Sequence, residues 1–548
     1  MNRIFFKINP EVIFLLLIAG LASCNKFIEV TPTDQVTDNT AWTTTSNADL
    51  FLNNIYASIA GPFNTNDPDE NFSDNAMRGS SSGYSFTTYA QSNYTPNTVR
   101  DDWTSNYNKI RQCNLFIQKV SESLLPDNWK KLRLAEARYL RAYFYQILWI
   151  SYGGVPIITD VLDKKTQGDS IFRARNTSDE TFEFITSECA SSAIDLPLKN
   201  DVGRAGKGSA LSLKGWCELF QASPLKNPGN NKAKWALAAA TNKQIIDLNI
   251  YSLFPDYETM FYEENNNNAE VIFDKAYLGG TTLGGSREGL QGAWIVGGVQ
   301  RAFSAPNPTQ ELVDSYLMAN GLPITDPASG YEPQNPYLNR EKRFYQSIIY
   351  DGSSWLGFEM EMWIGSGSPN TLDLSSANEA TNTGYYLRKG LNPKYAKNGD
   401  LKLNSAHFII FRYGEVLLSY AEAQNEASGP DNSVYDAINK VRLRSNLPPL
   451  VPNLNQVQLR NAIRQERRVE LAFEHRRWAD LLRLKLAEIN LNSPLHAMKI
   501  EKVGGKKVYT VISAPNGTRI FYASKNYLLP IPQNVIDKNI KLKQNPNY

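Results

Sequence analysis

Trp129-Lys-Lys-Leu-Arg-Leu-Ala-Glu-Ala-Arg-Tyr-Leu-Arg-Ala-Tyr-Phe-Tyr-Gln-Ile-Leu-Trp-Ile150, followed by Ser-Tyr-Gly-Gly-Val-Pro156, is the stretch from which the fold is read. Leu132, Ala135, Leu140, Tyr143, Ile147 and Ile150 share one side of a helix. Gly153-Gly154 stop it, and Val155-Pro156 continue extended, because a residue before proline avoids the helical region. Outward from here the same period recurs. A helical stretch runs from Asp101 to Val120. Thr177-Ser-Asp-Glu180 has the form of a capping box and opens another through Phe182, Ile185 and Ile194. Segments 208–222 and 232–248 follow, and Leu50, Phe51, Asn54, Ile55 and Ile59 mark a helix upstream. Paired helices on short turns, with Ala135, Ala142 and Ala239 at packing positions, predict tetratricopeptide-like units, although no clean 34-residue self-match exists.

Two stretches break this texture. Residues 64–97 are polar and irregular, too long for a plain connector, and make a candidate functional loop. From about Leu253 to Asn404, Gly, Asn, Ser and Pro dominate, which predicts loops, short helices and strands. Helical texture returns at about 408–427, 433–444 and 456–488, and the tail from Asn534 to Tyr548 reads as polar turns. The expected fold is mostly α: a tetratricopeptide-like helical superhelix with a loop-rich, irregular second subregion. Its parts would be helical 48–252, loop-rich 253–405 and helical 406–548.

Composition narrows the function. The 548 residues carry 57 Lys+Arg against 55 Asp+Glu, so no concentrated basic surface points to nucleic acid. Three isolated histidines, His407, His475 and His496, leave little for His-based chemistry. Four scattered cysteines, at 24, 113, 189 and 217, fit neither a disulfide framework nor a zinc site. No cofactor or metal is called for. Gly203-Arg-Ala-Gly-Lys-Gly-Ser lacks the glycine spacing of a phosphate loop and reads as a helix N-terminus. The Gly-rich run 278–299 likewise lacks the dinucleotide order.

The N-terminus reads as an address. Arg3 and Lys7 precede the apolar run Val12–Ala19, whose eight residues fall far short of the about 20 needed to span a bilayer. Leu21-Ala22-Ser23-Cys24 has the form of a bacterial lipobox. Residues 1–23 are therefore expected to be a lipoprotein signal peptide, Cys24 the lipidated first residue, and 24–47 a Thr-rich tether.

Six further stretches occur in order. They are Ala135–Tyr145 with Tyr152-Gly-Gly-Val-Pro156; Gly203-Arg-Ala-Gly-Lys-Gly-Ser-Ala-Leu-Ser-Leu-Lys214; and Arg412-Tyr-Gly-Glu-Val-Leu-Leu-Ser-Tyr-Ala-Glu-Ala-Gln-Asn425. Ala437–Arg444, Ile463–Asp480, and Leu528–Asp537 with Gln544–Tyr548 follow. After a lipobox, this series resembles the SusD/RagB family, surface lipoproteins of Bacteroidetes nutrient uptake. The resemblance implies a non-catalytic binding protein at the outer membrane, acting as the lid of a SusC-like TonB-dependent β-barrel transporter. Its ligand would be an oligosaccharide or a peptide, held by the early loop and the variable middle. On that ground Asp74, Arg78, Tyr84, Trp294, Trp355 and Trp363 are the candidate ligand residues. Flat aromatic faces match the C–H faces of sugar rings, and polar side chains pair with hydroxyls. At least one of the three tryptophans should then be exposed beside the early loop.

Two alternatives remain. A surface glycoside hydrolase needs two carboxyls flanking a bond. Glu466, Glu470 and Glu474, at four-residue spacing among Arg467, Arg468, Arg476 and Arg477, read instead as an ion-pair network on one helix face. A non-binding envelope scaffold would take up no ligand.

Overall fold

The structure, a computed structural model, describes residues 40–61, 69–78, 88–277, 287–293, 302, 304–365, 381–397 and 404–548. Cys24, Tyr84 and Trp294 lie outside the described residues. Helices α1 (Thr45–Ala57), α2 (Asp102–Glu122), α3 (Asp127–Tyr152), α4 (Ser178–Asp195), α5 (Lys207–Ala222) and α6 (Lys232–Asp247) form the first layer. Their starts follow from local chemistry. The side chains of Thr44, Asp101 and Asn231 accept from backbone N–H groups of the first turn, and Thr177 and Glu180 close both halves of the capping box. On α1 the buried residues are Ala48, Leu52 and Ile55, so Leu50 points outward, against the sequence reading.

Consecutive helices from α2 to α6 pack pairwise. The layer then continues from α6 straight onto α7 (Tyr413–Ser428), which packs with α8 (Asn432–Arg444) and α9 (Gln456–Glu470). Everything between α6 and α7 is thus an insertion whose ends are joined. β1 (Val271–Lys275) pairs antiparallel with β2 (Phe408–Arg412), Val271 opposite Arg412 and Lys275 opposite Phe408. The helix expected from 408 therefore begins only at Tyr413, because Phe-Ile-Ile-Phe-Arg suits a half-buried strand better.

The long helix expected over 456–488 also divides. α9 ends at Glu470, and Phe473 and His475 sit at φ 63° and 59°, which a helix cannot accommodate. α10 (Arg477–Arg483) follows. A hairpin not foreseen from sequence closes the region: β3 (His496–Val503) and β4 (Lys506–Ser513) turn through Gly504-Gly505 at φ 56° and 81°, values that favour glycine.

Each of the three main apolar cores joins distant chain segments. The first buries Tyr145, Trp149 and Phe220 of the layer with Phe273 and Phe411 of β1 and β2. The second gathers Tyr316, Phe344, Trp355, Trp363 and Tyr385 of the insertion against Val469, Phe473, Met498 and Ile500. The third packs Trp235 against Leu417, Ile438 and Leu459. Among the described residues, no helix is long and apolar enough to cross a membrane.

Candidate functional site

The early segment and the insertion do meet. Ala76-Met77 pair antiparallel with Asn307-Pro308, Thr309 donates to the Asp74 carbonyl at 2.7 Å, and Asn382 donates to the Arg78 carbonyl at 2.9 Å. Two of the sequence candidates nevertheless lie beneath the surface. Asp74 is buried, and its carboxylate accepts from Arg477 Nε and Nη2 at 2.6 and 2.7 Å and from Asn490 Nδ2 at 2.7 Å, with Arg468 Nη2 at 3.2 Å. Burial pushes its acidity down. The Arg468 and Arg477 charges, with the hydrogen bonds, outweigh that and hold the carboxyl well below the ordinary range. This carboxylate is saturated by its own fold and has no free face for a hydroxyl. Arg78 is buried as well.

Trp355 and Trp363 are buried members of the second core, which corrects the expectation of an exposed platform for these two. The physical reason is cover by cations. Arg388 lies over the Trp355 ring at 5.5 Å, anchored by Glu258 at 2.8 Å. Lys502 Nζ stands 4.1 Å from the Trp363 ring centroid, and the indole N–H donates to Glu361 Oε2 at 2.7 Å. That bond, helped by the nearby Lys502 charge, outweighs the slight raising effect of burial and sets the Glu361 carboxyl below its usual value. Tyr84 and Trp294 lie outside the described residues.

A different ring faces solvent. Ser354-Trp355 pair with Phe358-Glu359 through a two-residue turn, Leu356-Gly357, at φ 54° and 87°. A leucine in the left-handed region stores strain that the hairpin must hold, and such strain gathers at working sites. The turn presents Phe358 with 46% of its surface exposed. Phe358 stands directly opposite Trp355 across the hairpin, so both side chains leave the same face. In the chain the exposed ring is followed by Glu359 and by Glu361, which accepts from Trp363 and stands 3.7 Å from Lys502, both charged ends part-exposed. A signal for it existed in the sequence: in Trp-Leu-Gly-Phe, the glycine marks a tight turn between two aromatics.

The glutamate trio was read correctly as ionic but wrongly as a helix face. Glu466 and Glu470 end α9, while Glu474 lies on the turn beyond it. Their partners come mostly from elsewhere. Arg343 binds Glu466 and Glu470 at 2.7 and 2.8 Å. Arg412 binds Glu470 and Glu474 at 2.7 Å each, and Glu270 at 2.6 Å. Arg444 also pairs with Glu470, and Lys389 with Glu474 at 2.6 Å. Burial alone would raise Glu474, but Arg412 and Lys389 hold it at about 2, and the three guanidinium groups keep Glu470 well below the ordinary range. A glycosidase acid needs the opposite, a carboxyl that keeps its proton near neutrality. The neighbouring arginines serve other partners: Arg467 and Arg476 bind Glu415, and Arg468 and Arg477 bind Asp74. Among the described residues, no group of His, Cys, Asp or Glu has the arrangement of a metal site.

Known proteins share this whole plan. The family model described as "SusD family" matches residues 269–548, just over half of the chain, and one described as "Starch-binding associating with outer membrane" matches 26–213. A SusD-like protein of Formosa agariphila is 24% identical over 528 residues, covering 90% of this chain and 95% of its own. The crystal structure of a SusD-like protein from Bacteroides fragilis superposes with a TM-score of 0.78 at 25% identity, covering 94% of this chain and all of the other. A second from that organism, described as a SusD-like carbohydrate binding protein, gives 0.77 at 26% identity, covering 92% and 100%. With its helical layer, its inserted second core and its family match over 269–548, the chain belongs to the SusD family.

Proposed function

We propose that this protein binds an oligosaccharide on the face carrying the Ser354–Glu359 hairpin. We further propose that it serves as the lid of a SusC-like TonB-dependent barrel, held at the outer membrane by acylated Cys24 and facing the cell exterior. The observation that carries the ligand reading is the exposed Phe358 ring beside the strained Leu356-Gly357 turn, with the part-exposed Glu361–Lys502 pair following it in the fold. An apolar plate edged by hydrogen-bonding groups is what a sugar ring requires. Trp355 and Trp363 act here as the floor that holds this edge, and Tyr84 and Trp294 remain candidate walls. Family membership, the description "Starch-binding associating with outer membrane" and the likeness to the Bacteroides fragilis carbohydrate binding protein support the substrate class. Capture and hand-over need no bond to be broken, so the protein releases no product.

The test is calorimetric titration of the protein with a panel of glycans. Full burial of a Phe side chain contributes about 1.5–3 kcal/mol, so covering the exposed half contributes about 1 kcal/mol, roughly fivefold in affinity. Phe358→Ala should weaken binding by at least that factor and leave the unfolding midpoint nearly unchanged. Unchanged affinity in the variant would remove this face from the site, and hydrolysis of any glycan would refute the binding-only reading.

A further inference from the structure

One end of the helical layer exposes a cluster of large aliphatic side chains. The turn from α2 to α3 carries the fully exposed Leu124. The last turn of α4 and the loop from it to α5 carry Ile194, Leu198 and Val202 at 78%, 49% and 65% exposure. Both connections are held against α3. Lys130 donates to the Ser123 carbonyl at 3.2 Å, Lys131 pairs with Asp195 at 3.2 Å, and Asn200 donates to Glu136 at 3.3 Å.

The chain enters the fold at this same end. Asp49, near the start of α1, takes the indole N–H of Trp129 at 3.4 Å and Arg133 Nε at 2.7 Å. Trp42 packs on Phe51 and on Phe116 of α2 at 5.0 and 6.1 Å. From Thr40, where the described chain starts, back to Cys24 is sixteen residues, so the acyl group cannot lie more than about 55 Å away. Charges at this end are mixed: Lys131 and Lys199 are exposed, and so are Glu122, Asp127 and Asp201. The half-buried Trp129, with its N–H held by a carboxylate, has the amphipathic character of side chains at membrane interfaces.

We propose that this end is a lipid-contact surface, whose four aliphatic side chains enter the headgroup–acyl boundary of the bilayer that holds the anchor. The inference rests on acylation of Cys24, given above as part of the proposed function. The side chains stand on helix-connecting loops and the last turn of α4 at the tethered end, where an anchored chain meets lipid first. Because the charges there nearly cancel, the contact is apolar and insensitive to salt.

The test uses the acylated protein in phosphatidylethanolamine–phosphatidylglycerol vesicles, with a nitroxide placed at Ile194→Cys or Leu198→Cys. Cys113, Cys189 and Cys217 are buried and will not compete for label. A reference label at Ile540→Cys, also exposed, lies near the other end of α3, whose 26 residues span about 39 Å. At 194 and 198, accessibility to a water-soluble nickel chelate should fall at least fivefold relative to 540, in low and high salt alike. Leu198→Asp with Val202→Asp should abolish the protection of the label at 194 without altering the unfolding midpoint. Water-exposed labels on acylated protein would overturn the proposal. So would protection that appears only when a barrel transporter is co-reconstituted, since the face would then bind protein. Mass spectrometry of Cys24 separates these outcomes from failure of the anchor itself, which would remove the ground for both readings.

Discussion

Substituting Asp74 by Ala should cost stability and leave ligand binding intact. The carboxylate lies between the buried guanidinium of Arg477 and the largely buried one of Arg468 and accepts three bonds of 2.6–2.7 Å, two from Arg477 and one from Asn490. Charge-assisted bonds contribute about 1.5–3 kcal/mol each, but they form one unit and do not add. Removing one partner of a buried pair leaves the other charge uncompensated and costs about 3–5 kcal/mol, which is the loss expected here. The pH dependence follows in sign. Because the folded carboxyl sits below its ordinary value, its contribution is present above that value, near pH 3.8, and is lost as pH falls further. The gap between parent and variant should therefore be full at pH 7 and narrow in acid. Urea unfolding followed by circular dichroism measures it, and a cycle with Arg477→Met isolates the pair. A loss under about 1 kcal/mol, or normal stability with weakened glycan binding, would return Asp74 to the ligand site and refute the reasoning.

Glu70 should show the opposite slope. Burial raises its carboxyl from 4.5 to about 7, so its contribution is present below pH 4.5 and is lost as pH rises through 7, about 3 kcal/mol in all. Glu70→Gln should stabilise the protein at pH 8 and change nothing at pH 4.5, as read from denaturant midpoints at the two values. Glu470→Gln leaves Arg343, Arg412 and Arg444 short of their shared carboxylate and should destabilise by about 3 kcal/mol or more, with no effect on any glycan other than through unfolding. Cys24→Ala should release the protein from outer-membrane fractions of cells lacking the barrel. Persistence there would refute the lipid anchor.

The helices of the first layer were legible because their caps and apolar periods are local. The sequence range 232–248 and the observed Lys232–Asp247 differ by one residue, and the Thr177–Glu180 box formed as written. Legibility failed where tertiary pairing decides. Phe408–Arg412 became a strand because Val271–Lys275 stands ready to pair with it, a partner far along the chain. The break after Glu470 is set by ion pairs that hold Glu470 and Glu474 from three other segments. The same limit governed the site. Residue types suggested that Asp74, Trp355 and Trp363 could meet a sugar, but exposure depends on what covers each group. Arg477, Arg388 and Lys502 come from sequence positions with no local relation to them. Phe358 escaped notice because a lone exposed Phe is marked only by the turn beside it.

The ionic cluster around Glu470 has a consequence for how the chain is made. Arg343, Lys389 and Arg412 precede Glu466, Glu470 and Glu474 in the order of synthesis. Lys389 also donates to the carbonyls of Glu470 and Ala472, at 3.0 and 2.8 Å. Until that last stretch emerges, Arg343 has Glu341 and Arg412 has Glu270, but Lys389 lacks its carboxylate, and an unpaired buried charge is costly. The second core packs Val469, Phe473, Met498 and Ile500 of that stretch against the insertion, so it is incomplete without them. The cluster thereby ties completion of the second core to the final seventh of the sequence.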